Sequence, residues 1–297
     1  MRLETDDRTP RPQRGCCGSA LGMAVVPGED SQARGDTGAF AATGHLTSCR
    51  WSSVSTSERF KVALAASAVD LAGPELLPER LARAAAAVLP VDGGGISLFF
   101  ASDRRLPLGA SDEQSAEVER LQFTVGEGPC LSAHASGRPI VADEAMIESR
   151  WPAFYDELVA RTSIRGIIAL PLEDDLRAFG ALDLYLVPPG DVGSVTLLDA
   201  LTVAREVVET FQATRRQDPT SADGPAWLDA PAAERRSLVW QAMGFVNSGL
   251  GVTGPDALAL LRGYAYGEGA DLDDVAARVL ARDVPLERLA LDAGESR

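Results

Sequence analysis

Lysine is nearly missing from this chain. Lys61 is the only one among 28 basic side chains, the rest being arginine, in a sequence of 297 residues. Acidic side chains number 43 and the formal charge is −15 at pH 7. No segment has the strong positive excess of a typical nucleic-acid binder; residues 232–297 hold 7 basic and 10 acidic side chains. So many arginines beside so much Ala and Gly point to a GC-rich coding sequence of bacterial kind. Histidine is scarce too, with only His45 and His134. Cys16, Cys17, Cys49 and Cys130 show no Cys-x-x-Cys spacing. Neither a metal cluster nor a disulfide framework can be assembled from these residues, and free thiols in a reducing cytoplasm are expected. No Walker-type Gly-x-x-x-x-Gly-Lys run occurs. No apolar run approaches the ~18–20 residues of a membrane-spanning helix, and Glu4, Asp6 and Asp7 spoil the start of a secretory signal. The expectation is a cytoplasmic protein with no membrane partner, no metal and no cofactor.

What is present suffices for about two domains, with a hydrophobic content of 45%. Residues 1–57 are rich in Gly, Ser, Thr, Arg and Pro and read as a disordered arm. Order is expected from 58 to 217. "SERFKVALAASAVDLAG", with Ser57 as N-cap, and "PELLPERLARAAAAVLP" have helical spacing. "GGGISLFFAS" and "RLPLGAS" read as paired strands, "SIRGIIALPLE" and "FGALDLYLVP" as two more joined by the acidic turn "EDDLRA". Leu182, Leu184 and Leu186 alternate with Asp183 and Tyr185, which predicts a strand with one buried face. A long helix over 193–216 closes this α+β domain. A polar linker, 218–231, leads to an all-α unit of three short helices, 232–290, and a tail, 291–297. Their stripes are Val239, Met243, Val246 and Leu250; Leu258, Leu261 and Ala265; and Leu272, Val275, Ala276 and Val279 after Asp271 as cap.

One stretch invites a catalytic reading. In "VGEGPCLSAH", 125–134, Cys130 and His134 stand four residues apart, so a nucleophile and its base could meet on a helix. The structural alternative is stronger: Pro129 suits the first position of a helix, Gly126 and Gly128 permit a tight entry, and Cys130 packs as a small apolar side chain. A third possibility is redox sensing, since a thiol near a helix N-terminus has a lowered pKa. With no Gly-x-Ser-x-Gly elbow, the chain does not read as an enzyme. "GGG" at 93–95 precedes a strand and is no phosphate loop, and "EDD" at 173–175 reads as a solvated turn.

Residues 121–190, with their Gly-Glu-Gly-Pro-Cys turn, Arg-Trp-Pro-x-Phe helix start and Gly-Ala-Leu-Asp-Leu-Tyr strand, resemble the GAF domains of actinobacterial regulators. Residues 235–282, with Val-x-Gln-Ala-x-Gly, Ala-Leu-x-x-Leu-Arg-x-Tyr-Ala and Leu-x-x-Val-Ala anchors, resemble ANTAR domains, small helical RNA-binding modules. Together these resemblances imply a GAF-like antiparallel sheet with flanking helices, followed by an ANTAR-like module. They imply a transcription antitermination regulator whose sensory domain controls binding to RNA hairpins in nascent transcripts. The expected RNA-binding residues are Arg235, Arg236, Gln241, Arg262, Tyr264, Arg278 and Arg282. Met243 stands where many ANTAR domains carry lysine. The cyclic-nucleotide signature is absent, and no histidine follows Cys130 as in bilin carriers, so a small-molecule ligand of the GAF pocket is left unnamed. A homodimer is expected through residues 58–72 and 193–216. The competing reading is a ligand-sensing or dimerisation protein whose helical module no longer binds RNA.

Overall fold

Ser55, rather than Ser57, opens the first helix. In the computed structural model, which describes residues 54–101, 104–173, 178–217 and 225–292, the Ser55 side chain accepts from the Glu58 amide and the Glu58 carboxylate accepts from the Ser55 amide. This reciprocal box satisfies amides that a helix start leaves unpaired, and α1 follows as Thr56–Ser67. The expected N-terminal arm lies, through residue 53, outside the described residues, as does the turn at 174–177. A 3-10 turn at Pro74–Leu76 leads into α2, Leu77–Val88.

Five antiparallel strands follow: β1 Gly93–Ala101, β2 Arg104–Ala110, β3 Ile140–Ala142, β4 Gly166–Glu173 and β5 Ala178–Leu186. Their order is β2-β1-β5-β4-β3. Four of them are the strands expected from sequence; β3 is too short for alternation to reveal it. Between β2 and β3 come α3, Glu113–Val125, and α4, Pro129–Ser136. Between β3 and β4 come α5, Glu144–Arg150, and α6, Pro152–Arg161. The closing helix α7 spans Leu197–Gln217, because Val195 takes an extended conformation after a 3-10 turn at Val192–Ser194.

The sheet is covered on both sides. Leu98, Leu170, Leu182 and Leu184 pack against Phe60, Leu81 and Val203 from α1, α2 and α7. On the other face Ile167, Ala169 and Tyr185 meet Val118 and Leu121 of α3 and Phe154 of α6. This corrects the expectation for β5: Asp183 and Tyr185 are 1% and 0% exposed. Alternation there separates an all-apolar core face from a core face that also carries polar side chains, not core from solvent.

Among the described residues the C-terminal segment has four α-helices, not three: α8 Pro231–Leu250, α9 Gly254–Gly267, α10 Leu272–Leu280 and α11 Leu286–Asp292. The last adds Leu289 to the core that the three expected stripes form; seven residues are too few for a periodic signal. The described residues belong to one compact unit. The chain ahead of α8 is fastened rather than loose. Trp227 is buried against Phe211 of α7, with ring centroids 4.8 Å apart, and its indole N–H donates to Thr214 Oγ1 at 3.1 Å. The expected linker therefore ends by residue 225, since an apolar ring inside a polar stretch finds a core. Beyond it, α8 packs on β2, the strand at one edge of the sheet.

The attachment has a measurable weight. Trp227→Ala removes a buried ring and should lower the unfolding free energy by about 3–5 kcal/mol. Denaturant titration reads this directly, and a loss below about 1 kcal/mol would show that the segment does not hold.

Candidate functional site

The "VGEGPC" stretch is a bend that joins α3 to α4. Gly126 caps α3 with φ of 85°, a left-handed conformation that glycine adopts at no steric cost, and Pro129 takes the first turn of α4. The Cys130 amide donates to Gln122 Oε1 at 2.8 Å, and Gln122 Nε2 donates to Asp183 Oδ2 at 3.0 Å. Cys130 is fully buried beside Phe99 and Ala181. Burial pushes its thiol well above the usual range, against the lowering by the nearby Arg105 charge. His134 stacks on Phe99 with ring centroids 3.8 Å apart, and burial lowers its pKa.

Beside this bend lies a buried polar cluster. Arg105 of β2 and Glu119 of α3 form an ion pair at 1% and 3% side-chain exposure, and Arg105 also donates to the Glu119 carbonyl at 2.7 Å. The Glu119 carboxylate accepts further bonds from Ser97 Oγ and Tyr185 Oη, both at 2.6 Å. The glycine run of β1 makes the space: a Cβ on Gly95 would lie 2.2 Å from Glu119 Oε1. Burial, then the charge of Glu119, pushes the Asp183 carboxyl up to about 7 against the opposing pull of Arg105. The space between sheet and α3 is thus filled by the chain's own polar groups. A cavity of about 290 Å³ opens further out, lined by Glu79, Arg83, Pro107 and Glu119 and by Arg235 and Arg236 of α8.

Helix α3 turns another side to the C-terminal helices. Phe123, fully buried, belongs to their core and not to that of the sheet. Arg236 lies over its ring at 3.8 Å from the centroid and Arg262 at 4.9 Å, while Trp240 meets it edge-on at 5.6 Å and 85°. Arg262 Nε donates to the Phe123 carbonyl at 2.9 Å. The glycine cap matters again, since a Cβ on Gly126 would press to 3.0 Å from the Arg262 guanidinium. Arg236 pairs with Asp273 at 3.2 Å, and burial pushes its pKa down to about 10. At the rim, Asp271 receives Arg161 at 3.1 Å and Arg120 at 3.9 Å. Asp271 does stand at the N-cap of α10, but its side chain makes no capping bond.

These placements divide the residues expected to touch RNA. Arg235, Gln241 and Arg282 are exposed. Arg236 is 2% exposed and Tyr264 4%. In this arrangement neither can reach a phosphate or an unpaired base. Neighbours on a helix point about 100° apart, which is why Arg235 faces water and Arg236 faces Phe123. Arg262 is half-buried on Phe123, and Arg278 lies 6.0 Å from the Tyr264 ring. The sequence reading overlooked Phe123, Trp240, Glu119 and Arg105. A signal for Phe123 existed: Val118, Leu121 and Val125 form one stripe of α3, and Phe123 is a large apolar residue off that stripe.

Residues 74–215, which contain the whole sheet, α2 and most of α7, match the family model described as "GAF domain". This part of the chain is a GAF domain. Among solved structures, the chain is similar to the GAF domain of a phosphoenolpyruvate-protein phosphotransferase from Coxiella burnetii, at 16% identity and a TM-score of 0.40, covering 56% of this chain and 99% of that one. It is also similar to a free methionine-R-sulfoxide reductase from Neisseria meningitidis in complex with its substrate, at 18% identity and a TM-score of 0.38, covering 55% and 91%. No curated protein matches the chain. GAF domains are sensory, ligand-binding domains of signalling proteins. The helices from α8 onward lie outside the GAF match.

The polar cluster of the GAF domain carries a pH signature. A carboxyl with a folded pKa of about 7, against an ordinary 3.8, is protonated in the folded chain where the unfolded chain has lost its proton. Its stabilising contribution is complete below about pH 4 and is lost as pH rises through about 7. The melting temperature should fall over that window, and Asp183→Asn should flatten the fall. Parallel melting profiles for the two proteins would remove Asp183 as the cause.

Proposed function

We propose that the chain is an RNA-binding transcription antitermination regulator, in which the GAF domain controls an ANTAR-like helical module that binds hairpins in nascent transcripts. One observation carries the reading. Phe123 of the GAF helix α3 is part of the core of the helical segment, in contact with two of the arginines that the ANTAR resemblance singles out. A sensory domain that shares a core residue with an arginine-bearing helical segment can govern it through that contact. The sequence anchors agree with that fold: Val239, Ala242, Leu258, Leu261, Ala265, Leu272, Val275 and Ala276 are all buried in the segment's core. In this reading the signal is a small-molecule ligand of the GAF domain, of unassigned chemistry.

Of the arginines, Arg235 is the exposed member of the adjacent pair on α8. Arg235→Ala should weaken hairpin binding and lower the slope of log affinity against log salt by about one. An unchanged slope would place Arg235 outside the interface. Burial of Arg236, Tyr264 and Met243 favours the second reading, a sensing protein without RNA binding. Complete lack of hairpin binding would select it.

The reading also includes a homodimer, which would make binding to paired hairpins bivalent and raise affinity by about 10²–10⁴. Its surface is narrower than the sequence suggested, because Val195 and Val208 face the core. Leu198 is 73% exposed on α7, with Leu201 beside it, and Val62 on α1 and Val69 in the turn after it are exposed. Light scattering on the full chain at micromolar concentration should give twice the 31.3 kDa chain mass, and Leu198→Asp should halve it. A monomeric wild-type protein would end the bivalent mechanism.

A further inference from the structure

The slot that holds Phe123 is formed by the helical segment but filled by the GAF domain. Its two walls are guanidinium groups and its end is the Trp240 ring. Such walls are an expensive way to seat a phenylalanine. Arg236 and Asp273 are close enough to pair, yet Arg236 Nε and Nη1 and Asp273 Oδ1 lack aligned hydrogen bonds within the interior. Aliphatic side chains would hold a phenyl ring without that desolvation. Two guanidinium groups within 5 Å of the centre of a flat ring suit a ligand whose ring comes with negative charge. A nucleobase meets both conditions: it stacks on guanidinium and aromatic faces, and its phosphates follow it.

We propose that Arg236, Trp240 and Arg262 form a stacking site for an unpaired nucleobase, and that Phe123 occupies it in the closed protein. The inference rests on the RNA-binding reading and adds where the base goes and what keeps it out. Bases within a duplex are already stacked and paired, so the site selects loop bases. The closure is reversible in character. Its rim consists of Asp271 with Arg161 and Arg120, side chains 23–30% exposed and therefore weakly coupled. Separating the helical segment from α3 would withdraw Phe123 and release Arg262 from the Phe123 carbonyl in one movement, which ties access at the slot to the contact between the segment and the GAF domain.

Two full-length variants open the slot by different routes. Phe123→Ala empties it without changing charge. Asp271→Arg sets a third cation against Arg120 and Arg161 and leaves the slot residues intact; it also spares α10, whose N-cap makes no side-chain bond. Both should bind an RNA hairpin with an unpaired loop at least tenfold more tightly than the wild-type chain. Neither should gain as much on a blunt RNA duplex of equal length. Adding Trp240→Ala to either variant should abolish the gain. Equal gains on loop and duplex would reduce the effect to added charge and overturn the stacking site. Hairpin binding by the wild-type chain with no gain in either variant would overturn it while leaving the RNA-binding reading in place. Failure of all forms, opened ones included, to bind hairpin RNA would overturn both.

Discussion

Two charges buried between a sheet and a helix are costly to desolvate, and Arg105 and Glu119 persist there because they pair with each other and Ser97, Tyr185 and the Glu119 carbonyl satisfy most of their remaining bonds. Arg105 Nε is left without a partner among the described residues. The Glu119 carboxylate has Arg105, Ser97 and Tyr185 as partners, and the Glu119 carbonyl takes a further bond from the same guanidinium. Removing any one member would leave the others unsatisfied in the interior. The cluster therefore fixes the register of α3 on the sheet far more tightly than the apolar contacts of Val118 and Leu121 could, since those tolerate sliding.

Everything distinctive in the molecule follows from that register. With α3 held, Gln122 hangs the Cys130 amide and Asp183 on either side of its amide group, which sets the bend into α4. Phe123, the next residue, then points away from the sheet into the C-terminal helices. Gly126 ends the helix where Arg262 lies against it. One helix thus serves an apolar core, a polar core and a docking contact on successive residues. A disturbance of the polar cluster has a short route to Arg236 and Arg262.

The docked helices are held by contacts of two kinds. Trp227 and Ala233 extend the GAF core into the start of α8, a large apolar attachment. The far end relies on the half-exposed Asp271 contacts and on Phe123 against its arginines. With a firm apolar attachment at one end and partly exposed charges at the other, the far end is the more weakly held of the two.

Much of the architecture was legible in the sequence, because the helix and strand periods of α2, β1, β4, β5 and α8 to α10 are local properties of the chain. The short β3 and α11 fell below the length at which a period can be recognised. The Gly-Glu-Gly-Pro turn was legible as a bend for the same reason, since glycine and proline state their backbone preferences within a few residues. Sites were less legible. Arg235 and Arg236 are identical in type and adjacent, and nothing local distinguishes the exposed one from the buried one. Asp183 and Tyr185 looked like a solvent face because alternation reports that two faces differ, not what covers each. The sequence by itself determined which residues form elements and which faces are apolar. Only the tertiary structure decided that α3 lies over the polar face of β5 and that Phe123 fills the arginine slot, because burial depends on partners brought from about sixty to more than a hundred residues away.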